Sequence, residues 1–167
     1  MRLRGSSPKF RHIVSSIIFN PGFKAVVIVR LQIKAQAKGR LRLAQLISNY
    51  NLRVTGAEFC VGVKIGPSLI VRHPNGIVVG GGVKIGQNLT LLHGVTIGLK
   101  DINNAESQRF PNLGNNVTLG TASTIIGDIY VADGTIVGAH TLVNSSTEAN
   151  GIYVGTPSKR IDWKKDE

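Results

Sequence analysis

The run IVVGGGVKIGQNLTLLHGVTIG, from Ile77 to Gly98, decides the fold. Counted in sixes it places an aliphatic residue at Val79, Ile85, Leu91 and Ile97. The count lapses and then resumes at Leu113, Leu119, Ile125, Val131, Val137 and Val143. Four places after most of these heads comes a second small, β-branched or aliphatic residue: Leu89, Val95, Val117, Ser123, Ile129, Thr135 and Thr141. Glycine often follows the head directly, as at Gly80, Gly86, Gly98, Gly114, Gly120 and Gly138. A period of six suits neither a helix nor an alternating strand. An ordinary β-sandwich would show period two and irregular spacing. The pattern fits a parallel coil of three flat faces, each unit giving one short strand and one corner. Heads point inward and stack on those of the coils above and below, so neighbours supply the stability.

Working outward, the coil begins near Ala57 and its first clear unit is Val61 to Gly66, continued by Leu69 and Val71. From Val71 to the next head, Val79, is eight residues rather than six. The extra residues fall in Arg72-His73-Pro74-Asn75-Gly76. A lapse in a strict repeat points to function, and it holds a histidine. A second interruption, Leu99 to Asn112, is polar and charged and reads as a long functional loop.

The chain has 167 residues, which bounds it at one domain with a small appendage. Its single cysteine, Cys60, rules out an intrachain disulfide and gives no zinc pattern. No run approaches the roughly 20 apolar residues of a membrane span. The longest uncharged run near the N-terminus, His12 to Phe23, is broken by Asn20-Pro21-Gly22, so no secretory signal is expected. The expected compartment is the cytoplasm, including the inner face of its membrane. The net charge of +11 is lopsided: residues 1–57 carry 11 of the 20 Lys and Arg and no Asp or Glu. Phe23 to Ile47 mixes aliphatics with basic residues and reads as one or two helices, broken near Gly39. Such a basic helix suits an anionic membrane surface. It also suits packing on the coil with its charges in water. A nucleic-acid partner is not expected, since no motif and few aromatics accompany the charge. The expected organisation is a basic helical segment over 1–56, the coil over 57–161 and a charged tail over 162–167.

The order Ile65-Gly66, His73, Gly76-Ile77-Val78-Val79-Gly80 and Val95-Thr96-Ile97-Gly98 resembles the serine acetyltransferase branch of the hexapeptide-repeat acyltransferases. It is also similar to acetyltransferases of bacterial surface-polysaccharide synthesis. The ending Val154-Gly155-Thr156-Pro157-Ser158-Lys159-Arg160 resembles the closing motif of that family, so the likeness covers about residues 57–161. It implies a left-handed parallel β-helix, mainly β with a short helical N-terminal segment, a homotrimer, and sites between adjacent subunits.

The resemblance implies that His73 is the general base that frees an acceptor hydroxyl to attack acetyl-CoA. Imidazole titrates near neutral pH and suits that role. In the serine enzymes an Asp fifteen residues earlier supports the His; here that position is Glu58, the only acid in the first hundred residues. Two departures follow. The catalytic His there follows an Asp that holds the amino acid, and here it follows Arg72. An Arg-His pair there grips the substrate, and here the pair is Arg109-Phe110. Arg72, His93 and Arg109 are accordingly assigned to the acceptor. A sugar or surface-polysaccharide precursor is the expected acceptor, with serine as the alternative. Small residues at Gly120, Thr121, Ala122, Gly138 and Ala139 are assigned to the pantetheine arm of acetyl-CoA, and Lys159 and Arg160 to its phosphates. No metal is expected: a carbonic-anhydrase-like zinc site needs three converging His, and His73, His93 and His140 lack the close-spaced pair. A catalytically silent scaffold is the remaining alternative.

Overall fold

The computed structural model describes residues 10–101 and 109–161, with side chains from residue 15 onward. Residues 102–108 of the second interruption, and the tail 162–167, lie outside the described residues.

The six-step ladder winds into three stacked sheets. The first holds β1 (Glu58–Phe59), β4 (Val78–Val79), β7 (Thr96–Gly98), β10 (Thr124–Ile126) and β13 (Leu142–Val143), in that order. The second holds β2 (Lys64–Ile65), β5 (Lys84–Ile85), β8 (Asn112–Leu113) and β11 (Tyr130–Val131). The third holds β3 (Ile70–Val71), β6 (Thr90–Leu91), β9 (Thr118–Leu119), β12 (Ile136–Val137) and β14 (Ile152–Val154). All these neighbours pair in parallel. β15 (Lys159–Ile161) closes the end by pairing antiparallel to β14. Because successive strands from β1 to β13 belong to successive sheets, each parallel pairing among them is made one full turn apart.

Register reports the irregularities directly. A regular coil takes eighteen residues, as from Val78 to its partner Thr96. The coil with the His73 corner takes twenty, as from Lys64 to Lys84. The coil with the long interruption takes twenty-eight, from Lys84 to Asn112. All ten heads from Val79 to Val143 are buried, as are the seven second positions. Each fully buried Val, Leu or Ile contributes about 1.5–3 kcal/mol relative to exposure, and only stacked coils supply that burial.

Three helices precede the coil, and the second and third pack on its first turn. They are α1 (Phe10–Phe19), α2 (Pro21–Ala37) and α3 (Leu41–Thr55). α2 begins where it does because Pro21 occupies its first turn and Asn20 Oδ1 accepts from Phe23 N at 2.9 Å. α2 and α3 are separated at Lys38–Arg40, beside Gly39. α3 ends at Gly56, whose φ of 75° is the usual left-handed stop. Ala25 and Val29 of α2 join the same core as Phe59, Val63 and Val71. Buried polar groups fix the docking: Gln32 Nε2 donates to Phe59 O at 2.8 Å and Gln36 Nε2 to Val63 O at 2.9 Å. Arg30 Nη1 donates to Ile65 O at 2.7 Å, and its burial lowers the guanidinium pKa. Among the described residues no helix is long and apolar enough to cross a membrane.

Candidate active site

The prism has three edges, and they differ in chemistry. Where the chain turns from the third sheet to the first lie Arg72–Ile77, His93–Gly94, Thr121–Ala122 and Ala139–His140. We call this the histidine edge. Backbone bonds stack it: Gly94 N donates to Asn75 O at 3.0 Å, Ala122 N to His93 O at 2.8 Å, and His140 N to Thr121 O at 2.8 Å. The turn from first sheet to second carries the long interruption. The turn from second to third is built from Asn and Asp: Asn88 Nδ2 donates to Asn116 Oδ1 at 2.8 Å, and Asn115 N to Asp133 Oδ1 at 2.9 Å.

The two extra residues of the first lapse place His73 on the histidine edge at φ 57°, a left-handed conformation that His tolerates better than most side chains. Its ring is exposed and meets His93, one coil on, with centroids 6.1 Å apart and planes at 82°. Arg72 and His73 also wall a cleft of about 280 Å³, closed on its other side by Phe19, Asn20, Pro21 and Gly22. The sequence reading took Asn20-Pro21-Gly22 as a break in an uncharged run, ahead of a helical segment, and not as part of a site. The buried Gly22, packed on the Val71 carbonyl, is the feature that brings this turn to His73.

Glu58 is the carboxylate expected to support His73. It is half-buried on β1, opposite Val78, with Oε1 3.9 Å from Cys60 Sγ. Among the described residues no hydrogen bond joins it to His73. Register explains this: Glu58 is held on the flat of the first sheet, while His73 stands on the preceding corner. Burial, with the Glu58 carboxylate beside it, pushes the Cys60 thiol above its ordinary pKa.

Arg109 does not reach His73 within one chain. It leads into β8, beyond the first sheet, whereas His73 precedes that sheet. Its guanidinium pairs with Asp128 at 2.9 Å, a partner the sequence reading missed. Phe110 has a structural seat. Its ring lies over Gly80 and Gly82; a Cβ at Gly80 would stand 2.7 Å from Phe110 Cε1, and one at Gly82 would overlap the ring. The run Gly80-Gly81-Gly82 was the available signal for such a seat.

The small residues assigned to acetyl-CoA share the histidine edge with His73. Packing alone already requires Gly120, because a Cβ there would come 2.8 Å from Ala139 N. Ala122, at φ 54°, stacks on Gly94. Lys159 is exposed on β15, while Arg160 pairs with Glu148. His140 sits two coils beyond His93, roughly 10 Å along the edge. Among the described residues no three His, Cys, Asp or Glu side chains come together as a metal site needs.

A serine acetyltransferase of Helicobacter pylori is 31% identical over 160 residues, 96% of this chain and 92% of that one. The chain belongs to the serine acetyltransferase family. Serine acetyltransferase 4 of Arabidopsis thaliana is 29% identical over 92% of this chain, which spans only 42% of the plant protein. The crystal structure of Neisseria gonorrhoeae serine acetyltransferase superposes with a TM-score of 0.82 at 28% identity, over 89% of this chain and 57% of that one. A soybean serine acetyltransferase complexed with serine gives 0.81 at 28%, over 88% and 60%. No protein-family model matches the chain. The fold is thus a left-handed β-helix and the protein an acyltransferase. The relatives are named for serine, so the expectation that ranked a sugar acceptor first is reversed.

Proposed function

We propose that the protein transfers the acetyl group of acetyl-CoA to the hydroxyl of serine. One observation carries the site assignment: the lapse in the ladder sets His73 against His93, beside a cleft, on the edge that holds the small stacked residues. His73 takes the hydroxyl proton as the oxygen attacks the thioester carbonyl. The C–O bond forms, the C–S bond breaks, and the proton passes to the departing sulfur, leaving free CoA and the O-acetyl ester. His93 and Arg72 bind the acceptor. The pantetheine arm runs along Gly120–Ala122 and Gly138–Ala139, with Lys159 toward the phosphates. Glu58 is the carboxylate assigned to support the base.

Arg109 is separated from His73 by the width of the first sheet, so its loop serves the site of a neighbouring subunit in a homotrimer. A sugar hydroxyl is the second reading. It is favoured by Phe110, which sits in its glycine seat where the serine enzymes use a histidine. An acceptor screen following thiol release from acetyl-CoA distinguishes them, with serine, a nucleotide-linked sugar and a lipid-linked sugar side by side. Serine-dependent release is expected. Release only with a sugar would replace the first reading with the second, and none above the hydrolysis background would refute both.

A further inference from the structure

Helix α3 turns its polar side inward. Ala44, Ser48, Asn51 and Thr55 are its buried residues. Two of them bind the body: Ser48 Oγ donates to Phe59 O at 2.7 Å, and Asn51 Nδ2 to Ala25 O at 3.3 Å. At 100° per residue, the opposite side carries Leu46 and Tyr50, 66% and 58% exposed, flanked by the exposed Leu43 and Val54. An amphipathic helix on a soluble protein normally faces the other way. The outermost unit of a coil normally presents a polar surface to water. A contiguous apolar face at that position marks an interaction surface.

Charge selects the partner. Arg42 and Arg53 stand on the same outward side as Leu46, and both are exposed. Residues 1–57 hold 11 basic and no acidic residues. Two copies packed face to face would oppose like charges. A bilayer with acidic headgroups complements both features, taking the leucines and tyrosine at its interface and the guanidiniums at its phosphates. We propose that the outward face of α3 docks the protein on an anionic lipid surface. The contact is peripheral, lies on the cap of the coil and leaves the histidine edge unaltered.

The test is flotation of the full chain with phosphatidylcholine vesicles, with and without phosphatidylglycerol, at low and high salt. The protein is expected to float with the anionic vesicles at low salt, and to be released by high salt. Arg42→Gln with Arg53→Gln is expected to lower partition about tenfold or more. Leu46→Ser with Tyr50→Ser is expected to lower it at least as much, with thiol release in solution unchanged. Wild-type protein that stays in solution with anionic vesicles overturns the proposal. So does flotation that both double variants leave intact. Size-exclusion chromatography in which Leu46→Ser with Tyr50→Ser splits a larger assembly would assign the face to a second copy instead.

Discussion

Replacing His73 with Asn isolates chemistry from structure. The position lies at φ 57°, a region in which Asn, like His, is several-fold enriched over most side chains. Asn therefore keeps the corner conformation more readily than Ala would, which keeps folding effects out of the result. The imidazole is exposed, its ring meets His93, and among the described residues it lies outside the buried core. Loss of the ring should therefore change stability by no more than about 0.5 kcal/mol. Loss of a general base typically lowers turnover by about 100-fold to 10,000-fold. That corresponds to about 3–5 kcal/mol of barrier, several times the expected stability change. The KM for acetyl-CoA should move little, because the groove assigned to it begins at Gly120. The assay is steady-state thiol release with serine, paired with a thermal melt of each protein. A His73→Asn variant with an unchanged melt and a kcat within about threefold of wild type would refute the assignment, since no general base is worth so little.

Leu119 stacks between Leu91 and Val137 in the third sheet and is fully buried, so Leu119→Ala should cost about 3 kcal/mol in urea unfolding. Gly82→Ala puts a methyl where the Phe110 ring sits and should destabilise by about 1–3 kcal/mol. A second change, Phe110→Ala, should recover part of that loss, which a double-mutant cycle by thermal unfolding reads as coupling. Hydrogen bonds from Asn115 N and Nδ2 hold the Asp133 carboxyl below its ordinary pKa. A depressed folded pKa stabilises above the unfolded value of about 3.9 and stops doing so as pH falls through the folded one. The stability gap between wild type and Asp133→Asn should therefore be present at neutral pH and vanish in acid.

The inward residues of the coil were legible because one geometric period governs them. Every head from Val79 to Val143 is buried, and so is Ser123, a polar residue that the spacing alone placed inside. The lapse at His73 was legible for the same reason: a strict repeat makes two extra residues visible. What the sequence hid depends on contacts between coils. Asp128 lies nineteen residues after Arg109, close to the eighteen-residue step that pairs Asn112 with Tyr130, but Arg109 stands in the interruption, where the six-step count lapses and gives no position for it. Glu58 stands fifteen residues before His73, yet that count does not say that one lies on the flat strand β1 and the other on the corner before β4. α3 misleads most. Its leucines look like a core face, but Ser48 and Asn51 take the inward side, where they donate to Phe59 O of the first coil and Ala25 O of α2. Reading that orientation requires knowing which carbonyls the first coil and α2 present to the helix.

The central claim is that one edge of the prism, and not the other two, is where acetyl transfer takes place. Hydrogen exchange of the full chain with and without CoA, read by mass spectrometry, tests it without assuming an acceptor. Slower exchange is expected in peptides covering residues 91–96, 118–124 and 136–142. Protection confined to residues 84–89 and 113–117, or to 60–63 and 80–83, would move CoA to another edge and contradict the account.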